Sequence, residues 1–210
     1  MPTIRRGYRY VVAYQRRLLD CVAALNEQIG AMGYEQDGWK PLYYGSPSTK
    51  KLAAAHWAWD FSPLYATRFF WTLKGRKANE SGASCFILDH VVDTAFETRS
   101  QKGGQPDPLE DLTPVEASDS VLRARWFHIM SPLPAAIWEL EWDSLVPKFF
   151  ACPIDEVWPL LPTERPSSRT KDGIVAGGHV VALSTLADPG DFDRTFVAPI
   201  LDELRRTRQL

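Results

Sequence analysis

Leu18, Val22, Leu25, Ile29 and Met32 recur at intervals of four, three, four and three, and Val11 carries the pattern upstream. Only an α-helix turns that spacing into one stripe, because at 3.6 residues per turn side chains three and four apart share a face. Leu19 and Val12 widen the stripe, while Arg16, Arg17, Asp20 and Glu27 fall elsewhere on the helix. Gly33 then supplies a residue able to take the left-handed conformation in which helices commonly end. The spacing predicts a helix over residues 8–32 whose apolar face has to be buried against a sheet or a core.

The sheet is legible in other stretches. Leu64–Leu73 is dense in aromatic and β-branched residues. Cys85–Phe96 alternates, placing Phe86, Leu88, His90 and Val92 on one face and Cys85, Ile87, Asp89, Val91 and Asp93 on the other. Val121–Met130 and Ile174–Leu186 read as strands, and Trp39–Tyr44 allows a further short one. Asp188-Pro189-Gly190 turns into a last helix in which Phe192, Phe196, Ile200 and Leu204 recur every four residues. Pro199 predicts a kink or a restart there, since proline has no N–H for the helical ladder. Strands that follow one another without regular intervening helices favour antiparallel pairing. The expected fold is α+β: a mainly antiparallel sheet with an N-terminal and a C-terminal helix packed on it. The 210 residues carry no repeat and no clear linker, so one domain is expected, with mobile loops near 99–114 and 162–173.

Composition narrows the function classes. Net charge is −2 and the pI about 6.1, which argues against a dedicated nucleic-acid binder. Cys21, Cys85 and Cys152 are odd in number and widely spaced, as reduced thiols are. The first residues lack the apolar core of a secretory signal, and no apolar run approaches the roughly 18 residues of a membrane span. The cytoplasm is the expected location. Arginine outnumbers lysine 16 to 8, a skew that points to a GC-rich bacterial genome.

Three groups of residues could carry chemistry. Ser48 and Lys51 have the Ser-x-x-Lys spacing of acylating serine enzymes, in which the lysine one turn on helps deprotonate the serine. Ser118-Asp119-Ser120 and Lys171-Asp172-Gly173 only faintly echo that chemistry's companion motifs, and about half a Ser-x-x-Lys match is expected by chance. A cap on a short helix over residues 48–59 is the simpler reading of Ser48. Cys85 is a second candidate nucleophile, with His179 or His128 as its base. Cys85 and His90 fall on opposite faces of their strand, so a partner has to come from elsewhere. His179 follows Gly177-Gly178, a pair that lets a backbone or a ligand approach closely. No metal-ligand spacing, Walker loop or dinucleotide fingerprint is present, so no metal and no cofactor is expected.

The third group is aromatic and basic. Trp57, Trp59 and Phe61 put three large rings within five residues, at a spacing that a single helix face does not bury. Arg5, Arg6 and Arg9 crowd the start of the chain among Tyr8, Tyr10 and Tyr14. Rings and arginines of this kind anchor interfaces. The sequence therefore favours a non-catalytic bacterial protein that binds another protein, of the inhibitor, immunity or adaptor type. A hydrolase with a dispersed site is the alternative, using Ser48 and Lys51 or Cys85 with a histidine. Nucleic-acid binding through the N-terminal arginines is the second alternative.

Overall fold

The apolar spacing becomes α1, Pro2–Ala31, a helix longer at its start than the stripe alone predicts. It ends where Gly33 takes φ +90°, and the chain enters β1, Tyr34–Pro41. The computed structural model describes residues 2–41, 66–76, 80–95, 115–132, 157–186 and 188–209. The further strands are β2 (Ala66–Leu73), β3 (Ser84–Val91), β4 (Val121–Ile129), β5 (Ser167–Lys171) and β6 (Ile174–Ala182). They form one sheet in the order β1-β2-β3-β4-β6-β5, every neighbouring pair antiparallel. The fold is α+β, as expected.

The segment 162–173, expected as a loop, carries β5 instead. Asp172 and Gly173 both take positive φ, 49° and 78°, and turn β5 tightly back into β6. Asp-Gly is favoured at this kind of turn because both residues tolerate the left-handed region. The stretch expected to be mobile near 99–114 lies outside the described residues, as do Ser48, Lys51, Trp57, Trp59 and Phe61.

Both helices pack on the same face of the sheet. Leu18, Val22, Leu25 and Ile29 of α1 meet Phe69, Trp71, Phe86, Leu88 and Trp126, together with Phe196, Ile200 and Leu204 of the C-terminal helix. That helix runs as a turn (Pro189–Asp191), a π-helical segment (Phe192–Val197) and an α-helix, α2 (Ala198–Arg208). The widened segment sits directly before Pro199, where the sequence predicts an interruption.

Candidate binding surface and buried polar clusters

The structure disperses the histidine and cysteine candidates. His179 lies on the helix-facing side of β6, level with Ala124 of β4, and both ring nitrogens are engaged. Nδ1 meets Thr163 Oγ1 at 2.8 Å, and Nε2 meets the Thr195 carbonyl at 3.2 Å. That carbonyl would accept from residue 199 in an α-helix, but residue 199 is proline. The imidazole thus takes the place of the missing N–H, and the Thr163 hydroxyl donates to its other nitrogen. The ring stacks on Phe196 at 5.9 Å, and burial lowers its pKa. His179 is a neutral strut between β6 and the C-terminal helix.

The glycine pair before it is filled by the protein itself. A Cβ at Gly177 would lie 2.4 Å from the Ser167 carbonyl oxygen and 2.5 Å from Trp126; at Gly178 it would lie 2.9 Å from Pro159. The close approach expected there is that of Trp126, β5 and Pro159.

Cys85 is fully buried, and burial pushes its thiol up to about 12, far from thiolate reactivity. It pairs across β3–β4 with Phe127, on the face opposite His128 and His179. The register thus corrects the expected Cys85–histidine dyads: sheet alternation puts thiol and imidazoles on opposite sides of the backbone. His128 is buried at the far end of β4, paired with Ser84, and burial and nearby Arg208 lower its pKa.

Two polar clusters, one buried and one half-buried, emerge that the sequence did not assemble. On the face away from the helices, Asp89 of β3 receives a two-pronged contact from Arg68 of β2, Nε to Oδ1 at 2.6 Å and Nη2 to Oδ2 at 2.9 Å. Arg125 Nη1 of β4 approaches Oδ2 at 3.1 Å. Burial alone would raise the Asp89 carboxyl, but Arg125, Arg68 and Arg123 together hold it below the usual carboxylate range. Trp158 lies over the Arg125 guanidinium at 5.5 Å, and Arg123 donates to the Leu160 carbonyl at 3.1 Å. The group clamps β2, β3 and β4 to the segment after Val157. The period-two placement of Arg123 and Arg125 was a usable signal, but the three-strand register was not readable.

The second cluster marks where α1 leaves the sheet. Tyr14 Oη lies 2.5 Å from His90 Nε2, across from the fully buried imidazole. Burial pushes the tyrosine up and the imidazole down to about 4, so the hydroxyl keeps its proton and donates it to a neutral ring.

Toward its start, beyond Tyr14, the helix has no floor among the described residues. Every residue from Thr3 to Tyr14 is exposed, whereas Leu18, Val22, Leu25 and Ile29 are buried. Tyr8 and Tyr10 are 71% and 69% exposed, Ile4 58% and Val12 62%. The expected binding residues Arg5, Arg6 and Arg9 stand on this overhang, about 18 Å long at 1.5 Å per residue. Residues 1–19 hold five arginines and no acid; the rest of the chain holds 19 basic side chains against 26 acidic ones.

α1, β1 to β4 and the overhang all fall within residues 1–150, the stretch that matches the family described as PM0109. The chain belongs to the PM0109 family. No curated protein and no solved structure is found to match it. Among the described residues no helix is long and apolar enough to cross a membrane, and no group of three His, Cys, Asp or Glu side chains could hold a metal ion.

Proposed function

We propose that this chain is a non-catalytic protein of the bacterial cytoplasm that acts by binding another protein, in the manner of an inhibitor, immunity protein or adaptor. The observation that carries the reading is the overhang of α1, a helical surface of exposed arginine, tyrosine and aliphatic side chains. Arginine and tyrosine are the side chains that concentrate binding energy, the first through forked hydrogen bonds and the second through rigid amphipathic area. Trp57, Trp59 and Phe61, three large rings within five residues, form a second anchor of the same kind.

The test is quantitative affinity capture from the source cells with two baits, the native chain and the triple variant Arg5→Glu/Arg6→Glu/Arg9→Glu. One stoichiometric protein partner is expected on the native bait and is lost from the variant. Equal recovery on both baits, or none on either, contradicts the reading. Nucleic-acid binding through the same arginines predicts instead retention on DNA that falls steeply with salt. A hydrolase predicts stoichiometric labelling by a fluorophosphonate at Ser48, abolished by Ser48→Ala.

A further inference from the structure

We propose that the overhang of α1 is the ligand of a groove on the partner protein, a groove with an apolar floor and walls rich in Asp and Glu. This names the partner class of the protein-binding reading and rests on it.

The stripe gives the floor. Ile4, Val11, Leu18 and Leu25 fall seven residues apart and so lie along one face of α1. Leu18 and Leu25 are 5% and 0% exposed on the sheet, whereas Ile4 and Val11, on the same face, are 58% and 48% exposed. A face built for burial continues past the surface that buries it. The arginines give the walls. Arg5 and Arg9 lie on one line down the far side of the helix, which runs on to Arg16 and its ion pair with Asp20 at 3.4 Å; no acid occurs before Asp20. A helix that keeps its polar side in water ordinarily intersperses acids three or four residues from its cations. This protein's own C-terminal helix does so, pairing Arg194 with Asp191, Arg205 with Asp202 and Arg206 with Glu203. Among the described residues no acid pairs with Arg5 or Arg9, and the walls of the groove supply their counter-charge. A helix is about 10–12 Å across, so a groove that seats Ile4 and Val11 on its floor brings its walls to the arginines. A second copy laid on the stripe would bring three more arginines and no acid from its own overhang.

Calcium-loaded calmodulin, whose groove has this chemistry, serves as the probe against the full chain in titration calorimetry. Saturable binding is expected. Ile4→Ser/Val11→Ser and Arg5→Glu/Arg9→Glu should each weaken it roughly tenfold or more, the loss of an interface anchor. Circular dichroism and the melting temperature should stay unchanged, because all four side chains are exposed. No binding, or binding that either pair leaves intact, overturns the assignment. So does tighter binding to phosphatidylserine vesicles or duplex DNA, or a dimer in sedimentation that Ile4→Ser/Val11→Ser dissolves. A cellular partner lost from the triple-variant bait but retained by Ile4→Ser/Val11→Ser would uphold protein binding and end the groove assignment.

Discussion

In the C-terminal helix Arg194, Arg205 and Arg206 each meet an acid three residues back, and Arg208 donates to the Met32 carbonyl at the end of α1. In the first half of α1, Arg5, Arg6 and Arg9 have no acid within reach on their own helix, whose first acid is Asp20. The sheet shows a third arrangement: Arg68 and Arg125 are buried, and Asp89 lies between them. The difference teaches where each arginine's counterpart is encoded. Arg68, Arg125 and the arginines of the C-terminal helix are answered within the chain, whereas Arg5, Arg6 and Arg9 meet no acid among the described residues.

Removing the body's answer should have the largest effect. Asp89→Ala leaves two buried guanidiniums facing one another, and a loss of about 3–5 kcal/mol in urea unfolding is expected. If the loss is below about 1 kcal/mol, the buried arginines are not held by Asp89 and the contrast breaks. Next come the two halves of one stripe. Leu25→Ala should cost about 3 kcal/mol, since the side chain is fully buried, whereas Val11→Ala should change stability by less than about 0.5 kcal/mol. Equal costs would mean that the overhang is seated after all.

The boundary between the halves should be sensitive to pH. His90 binds a proton near pH 6.5 in the unfolded chain but only near pH 4 in the fold. Between those values the unfolded state binds more protons, so the stability present above pH 6.5 falls on acidification, by on the order of 3 kcal/mol at pH 4. His90→Leu should flatten that slope; an unaltered slope would remove His90 as its cause. The smallest effects lie at the surface. Asp202→Ala should cost about 0.3–0.5 kcal/mol, the worth of an exposed helical pair. Arg9→Glu should leave stability within about 0.5 kcal/mol of the native chain, since it places an acid four residues after Arg5. A larger loss from Arg9→Glu would reveal a structural role for that arginine.

Much of this architecture was legible because it obeys periods of 3.6 and 2. The stripe of α1 and the alternation of β3 each survive in the fold, and Pro199 marks the interruption of the last helix. β5 was not legible from its composition, Ser-Ser-Arg-Thr-Lys, because an edge strand with exposed side chains needs no apolar alternation. Its cue was the Asp172-Gly173 turn. The Asp89 cluster needs the register of three strands at once, which no single strand carries. The overhang was half legible. Its arginines and tyrosines were visible, but whether Ile4 and Val11 have a floor depends on where the sheet ends beneath Tyr14.

Amide hydrogen exchange along α1 tests the contrast most directly. An unsupported helix of about twelve residues is marginal in water, so the amides from Tyr8 to Ala13 should exchange at least about 100-fold faster than those of Val22–Ile29 in the isolated chain. Addition of the groove-bearing probe should slow the first set and leave the second unchanged. Equal protection along the whole helix before any partner is added would contradict the account.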